Sequence, residues 1–215
     1  MNVQPLPPHA SVVVIGGGIL GCSTLYHLAK LGIEDAVLLE RSQLTSGTTW
    51  HSAAQVRALR SSKNLTELIR YSFSFLPELE EETGQATGWI QTGSLSIATN
   101  EERLTHILRQ ESLARLFGIR AESIPVEEAK ERWPLMNHED VIGAVWSPDD
   151  GRVSPSDLCA ALVKGARTRG ARILEETPVT GIITEKGKVW RVWLRRRQRR
   201  ALVRSALVGQ GRWVS

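Results

Sequence analysis

The stretch SVVVIGGGILG, Ser11 to Gly21, is a β-branched apolar run that breaks into three consecutive glycines, with a fourth three positions on. Four uninterrupted apolar residues, Val12 to Ile15, suit a strand buried on both faces of a parallel sheet. Gly16, Gly18 and Gly21 then satisfy G-x-G-x-x-G, with Gly17, Ile19 and Leu20 filling the gaps. From Cys22 to Leu31 the residues Leu25, Leu28 and Ala29 recur at helical spacing, and Gly32 stands where such a helix would end. A second apolar run, Ala36 to Leu39, leads into Glu40, 19 residues past Gly21.

Each part has a mechanical purpose in a seat for a dinucleotide. Gly16 permits a tight turn out of the strand. Gly18 lets the backbone approach a pyrophosphate on the positive end of the helix, and Gly21 lets the helix pack closely on the strand. A carboxylate at the tip of the second strand, Glu40, can accept both hydroxyls of an adenosine ribose. Glycines alone would be a weak signal. In register with strand, helix, strand and acid, they predict an α/β fold of Rossmann type, a βαβ unit on a parallel sheet. The bland alternative is a glycine-rich turn with Glu40 as a solvated strand end. This unit alone leaves FAD and NAD both open.

Beyond Glu40 and Arg41 the chain does not proceed quickly to a third parallel strand, as a compact NAD domain should, but runs through LTSGTTWHSAAQ, Leu44 to Gln55. Here the sequence resembles the FAD-dependent amine oxidoreductases of the D-amino-acid oxidase superfamily, and within it the dimethylglycine and sarcosine dehydrogenases. The resemblance implies FAD as cofactor, with Gly47, Thr48, Thr49 and Trp50 along the flavin and His51 bonded covalently to its 8α-methyl group. Gly16, Gly18, Ile19, Leu20, Gly21, Glu40 and Arg41 would then hold the ADP half. Without the preceding unit, a lone histidine after a turn reads as a structural surface residue or a general base. Where relatives commonly carry His-x-Ala-Gly, this chain has His51-Ser-Ala-Ala54. If that position needs a positive φ, alanine costs about 1 kcal/mol there.

The resemblance continues through GWIQTGSLSIAT (88–99), like a strand entering a substrate domain, and PDDGRVSPSDLCAALVKGARTRGARI (148–173), like the return from it. EETPVTGI (175–182) is similar to a strand whose valine, Val179, meets the adenine through its backbone. The likeness covers about residues 11 to 189. It implies a Rossmann-type FAD-binding domain at 1–88 and 147–215, with part of an α+β substrate domain, 89–146, inserted. The implied enzyme is an FAD-dependent amine dehydrogenase or oxidase whose partner is a small amine. It would oxidise the C–N bond of an N-methylated amine or amino acid by hydride transfer to flavin N5. A non-catalytic regulatory protein, or an inactive fragment, on the same scaffold is the alternative, and an NAD(P)-linked enzyme is disfavoured. No catalytic acid or base stands out.

Between these motifs, Asn64 to Thr83 reads as an amphipathic helix with Leu65, Leu68, Ile69, Leu76 and Leu79 on one side and Pro77 kinking it. Glu101 to Phe117 and Val126 to Trp133 read as two further helices. Arg57 and Arg60 read as solvated.

The formal charge of the 215 residues is +4, yet residues 190 to 215 contain eight arginines and no acid. The remaining 19 basic residues face 23 acidic ones, a balance of −4. Basicity confined to one end argues against a nucleic-acid partner. No apolar run approaches the roughly 20 residues of a membrane span, so no membrane partner is expected either. The leader MNVQPLPPHA has neither a charged n-region nor an apolar h-region, so a cytoplasmic protein is expected. Cys22 and Cys159 form no disulfide framework or metal-ligand spacing and read as small buried hydrophobes. After Val189 the family pattern is lost. Residues 190–215 are expected to be an atypical basic tail on an incomplete FAD domain, as in a truncated or frame-disrupted product.

Overall fold

The elements run β1 (His9–Ile15), α1 (Ile19–Lys30), β2 (Ala36–Leu39), β3 (Gln55–Val56), α2 (Lys63–Thr83), β4 (Ser94–Ala98), α3 (Glu101–Leu116) and β5 (Glu122–Ile124). They continue with α4 (Val126–Arg132), β6 (Gly143–Ser147), β7 (Gly151–Arg152), α5 (Pro155–Thr168), β8 (Arg172–Leu174), β9 (Val179–Glu185), β10 (Lys188–Leu194) and β11 (Arg200–Val208). This is a computed structural model, and it describes residues 7, 9–60, 62–185, 188–194 and 200–208. They group into two compact units, one of residues 1–53, 78–88 and 154–215, the other of 54–77 and 89–153.

The first unit is built on a six-stranded sheet of order β8-β2-β1-β11-β10-β9. β1 pairs in parallel with β2, from Val12 opposite Ala36 to Ile15 opposite Leu39, and β2 in parallel with β8. Both faces are covered, which is why the strands read as continuous apolar runs. On one face Val14 looks toward α1, and α1 packs against α5. On the other, Ala10, Val13, Val37, Leu39 and Leu174 share a core with Val192 and Leu194 of β10. Val192 and Leu194 of the antiparallel ribbon thus belong to the same core as the parallel strands.

This corrects the expectation for the end of the chain. β9 and β10 form an antiparallel ribbon, and β10 pairs with β11. β11 then lies parallel to β1, with Ile15 opposite Val208. Residues 188–194 and 200–208 are thus strands of the main sheet, not a basic tail outside the fold. The apolar positions of KVWRVWL and RALVRSALV carry strand information that the arginine count hid. Residues 195–199 and 209–215 lie outside the described residues.

In the second unit β4, β6 and β5 form an antiparallel sheet of order β4-β6-β5. Ala98, Ile107 and Val145 make one of its cores, and Ile124, Ala129 and Ala144 another. Asn100 caps α3 by accepting the Arg103 N–H at 2.8 Å. Asp150, only 2 % exposed, accepts the Ala58 N–H at 2.8 Å and the Ser94 hydroxyl at 2.5 Å. These bonds, and the pairing of β3 with β7, draw 54–77 and 147–153 into this unit. The sequence boundaries at 88 and 147 had grouped both segments with the first. In α2, Leu65 and Leu68 are exposed, contrary to the amphipathic reading, while Thr66, Phe75, Leu76 and Leu79 are buried. The Thr66 hydroxyl accepts the Arg60 N–H and donates to the Ser62 carbonyl, which turns this polar residue inward.

Residues 78–88 return to the first unit through Glu82. Its carboxylate accepts the Tyr26 hydroxyl of α1 at 2.7 Å and pairs with Arg169 beyond α5. The Arg169 hydrogen bond, aided by that of Tyr26, holds the Glu82 carboxyl below its usual range against the cost of burial. A depressed folded-state value adds stability above the unfolded carboxylate's pKa and loses it as pH falls through the folded one. Glu82→Gln should therefore flatten the acid limb of the stability curve, so that parent and variant converge as pH falls below the ordinary glutamate range in urea denaturation.

Candidate cofactor site

The turn after β1 begins at Gly16, whose φ of +108° is a conformation that side chains resist. The Gly16 N–H donates to the Leu39 carbonyl at 2.9 Å, which ties the elbow to the end of β2. A Cβ on Gly21 would lie 1.8 Å from the Gly16 carbonyl oxygen, so helix and turn meet as closely as the sequence predicts. The Glu40 carboxylate lies against this elbow. Its Oε2 accepts the Gly17 N–H at 2.6 Å and its Oε1 the Ser42 N–H at 2.8 Å.

The backbone around Glu40 is stitched to the segment after β8. Its N–H donates to the Leu174 carbonyl at 2.9 Å, and its carbonyl accepts the Thr177 N–H at 2.8 Å. The Glu176 N–H reaches the Ser42 carbonyl, and Glu175 accepts the Leu44 N–H at 2.7 Å. Val179, at the start of β9, stands two residues beyond Thr177 and packs on the core with Ile15. Sequence reasoning missed the role of Glu175, because a contact spanning 131 positions leaves no local pattern.

α1 opens with Gly18 as its N-cap, with no side-chain cap from that residue and no acid in the first turn. Its N-terminal partial positive charge is therefore not neutralised by a carboxylate of its own. Of the residues assigned to this end, Ile19 is half-buried, Leu20 is 56 % exposed and Arg41 is exposed.

The segment 45–52 coils beside the elbow. The Thr45 N–H donates to the Gly17 carbonyl at 2.9 Å, and Thr49 Oγ1 accepts the Ile19 N–H at 3.0 Å. Trp50 bonds back to Thr45, His51 to Thr48 and Ser52 to Thr49 along the backbone. Thr49 is buried, whereas Gly47, Thr48, Trp50 and His51 are exposed, Trp50 by 67 %. Nothing lies within 4 Å of where a Cβ on Gly47 would be. His51 Nδ1 is 3.1 Å from the Gly47 carbonyl. A carbonyl only accepts, so in neutral imidazole Nδ1 carries the proton and Nε2 keeps a lone pair.

Beneath the elbow, Cys22 donates to the Gly17 carbonyl at 3.6 Å. The hydrogen bond to Cys159 and then burial push the Cys22 thiol up, so it stays protonated and is no nucleophile. In the second unit Arg57 is not simply solvated. It reaches Asp150 at 3.5 Å and the Ser96 hydroxyl at 2.9 Å, while Arg60 is exposed. Among the described residues no three His, Cys, Asp or Glu side chains group as metal ligands, and no helix is long and apolar enough to cross a membrane.

A family profile described as DAO, FAD dependent oxidoreductase, matches residues 11–214. The match continues past Val189, through the strands at the end of the sheet. The human protein "Sarcosine dehydrogenase, mitochondrial" is 49 % identical over 188 residues, 87 % of this chain and 20 % of that one. "Dimethylglycine dehydrogenase, mitochondrial" of Rattus norvegicus is 37 % identical over 192 residues, 87 % of this chain and 22 % of its own length. The chain thus spans about a fifth of these curated relatives. Among solved structures, L-proline dehydrogenase from P. horikoshii superposes with a TM-score of 0.88 at 29 % identity, over 95 % of this chain and 53 % of that one.

Ala54, three residues past His51, has a φ of +61°, the conformation that the missing glycine would favour. Replacing Ala54 by glycine relieves the left-handed strain and gives back part of the gain as entropy of the unfolded chain. Ala54→Gly should therefore raise stability by about 0.5–1 kcal/mol. A urea midpoint shifted upward at constant slope is the expected record.

Proposed function

The chain belongs to the DAO family of FAD-dependent oxidoreductases, and from that membership we propose that it binds FAD and oxidises the C–N bond of an N-methylated amine or amino acid. FAD is the cofactor of the family. One observation carries the fit of this chain to it: the Glu40 carboxylate lies against the glycine elbow while the first turn of α1 is free of acids. An acid in that turn would repel a pyrophosphate. Its absence, with a glycine at the N-cap, leaves the helix end suited to one.

In this reading Gly16, Gly18, Ile19, Leu20 and Gly21 hold the pyrophosphate, Glu40 and Arg41 attend the adenosine ribose, and Val179 meets the adenine through its backbone. Gly47, Thr48, Thr49 and Trp50 line the flavin side, and the exposed indole of Trp50 offers a flat apolar surface. Bound FAD supplies a two-electron acceptor that takes a hydride equivalent from the substrate carbon next to nitrogen. The substrate amine must arrive unprotonated, and its iminium product hydrolyses to formaldehyde and the demethylated amine.

His51 is the residue that would retain the ring covalently, through Nε2, since Nδ1 is engaged by the Gly47 carbonyl. The Nε2 lone pair would be the group that bonds to the flavin, while the proton on Nδ1 is held by the Gly47 carbonyl, which fixes the orientation of the ring.

The test is acid precipitation of the full chain after incubation with FAD, followed by an amine assay. The expected result is a yellow pellet, with formaldehyde released from sarcosine or dimethylglycine in the presence of an electron acceptor. His51→Ala should release its flavin to the supernatant. A colourless protein that takes up no added FAD would sink the reading.

A further inference from the structure

α1 begins on a glycine, and a glycine brings no side chain to cap the helix it opens. The cap comes instead from the segment that carries His51. Thr49 Oγ1 accepts the N–H of Ile19, the first residue of α1, at 3.0 Å. A Cβ on Gly18 would stand 2.8 Å from that oxygen, so the glycine makes room for the hydroxyl. Thr49 is 9 % exposed while Thr48, Trp50 and His51 on either side are exposed. The coil is thus anchored inward at this buried side chain.

A second tie, from the Thr45 N–H to the Gly17 carbonyl, holds the start of the coil. Between and beyond these ties, the bonds from Trp50 to Thr45, Ser52 to Thr49 and His51 Nδ1 to the Gly47 carbonyl stiffen it. The imidazole rides on a short, internally bonded turn whose buried foot is Thr49. We propose that Thr49 is a positioning residue, setting the place of the His51 ring relative to a cofactor anchored at the glycine elbow. The inference rests on the FAD reading above and adds the residue that couples its two halves.

The chemistry of the residue supports this. Aspartate is at least as good a helix cap as threonine. A carboxylate at this point would also place a negative charge at the helix end where a pyrophosphate belongs. A hydroxyl caps without charge. A purely structural cap would tolerate aspartate; a cap that shares its helix end with a phosphate would not.

The experiment uses the full chain, freed of cofactor, with added FAD and three variants. Thr49→Val keeps the shape and removes the acceptor. It should still bind FAD, yet form acid-stable flavin at least about tenfold more slowly, the rate equivalent of one lost hydrogen bond. Thr49→Ser should restore the parental rate to within about twofold, since it keeps the acceptor. Thr49→Asp should remain folded by circular dichroism and bind FAD at least about tenfold more weakly, because its charge opposes the phosphate. Acid-stable flavin forming in Thr49→Val at the parental rate, or unweakened binding by Thr49→Asp, overturns the proposal. A parent chain that binds FAD without ever attaching it overturns it as well. Should Thr49→Val not fold, amide hydrogen exchange of the cofactor-free parent decides: Ile19 is expected to be protected, and an Ile19 amide exchanging like an open loop rejects the cap. A parent that binds no FAD but protects Ile19 rejects the functional reading while leaving the cap in place.

Discussion

The carbonyl oxygen of Gly16 lies 1.8 Å from where a side chain on residue 21 would have to begin. That close approach is the constraint on which the rest of the first unit depends. It lets α1 start almost on top of the strand that precedes it, with its N-terminus open toward the elbow. The elbow in turn needs a positive φ at Gly16 and a bond from that residue to the end of β2, so strand, turn, helix and second strand are locked together. Glu40 follows directly from β2 and can only fall beside Gly17. The same geometry that makes the helix pack closely therefore puts an acid next to a helix N-terminus, which is the pairing an adenine dinucleotide requires.

Three separate stretches of chain meet around this elbow, held by hydrogen bonds from backbone N–H groups to carbonyls and to side-chain oxygens. The loop after β2 contributes Glu40 and Ser42, the coil 45–52 contributes Thr45 and Thr49, and the loop after β8 contributes Glu175 to Thr177. Backbone donors near a cofactor must be satisfied whether or not the cofactor is there. Here the N–H groups of Gly17, Ile19, Ser42 and Leu44 are satisfied by the side chains of Glu40, Thr49 and Glu175, and those of Glu40 and Thr45 by backbone carbonyls, which gives the site its shape in advance. Pre-formed donors and acceptors of this kind reduce the ordering cost of binding.

The segment richest in arginine shows how composition can mislead where topology does not. RALVRSALV forms a strand beside β1, between the parallel core and the ribbon. Counting charges treats its arginines as the message. Pairing treats the apolar residues between them as the message, and Val192 and Leu194 of the neighbouring strand are indeed buried against Val13 and Val37. Local sequence could not decide this, because the partner strand β1 lies about 190 positions away in the register His9 to Leu202.

What the sequence by itself determined was whatever depends on near neighbours: the strand before the glycines, the helix after them, and the acid at the end of β2. Each follows from spacing within a few residues and from what a Cβ or a fixed dihedral allows. Only the tertiary structure decided which distant segments meet. Thr49 capping α1, Glu175 holding Leu44, Asp150 drawing residue 58 to the second unit, and Val192 and Leu194 sharing a core with Val13 and Val37 all join residues far apart in the chain. A hydroxyl or carboxylate carries no mark of its future partner, since any backbone N–H would satisfy it. The partner is chosen by the fold as a whole.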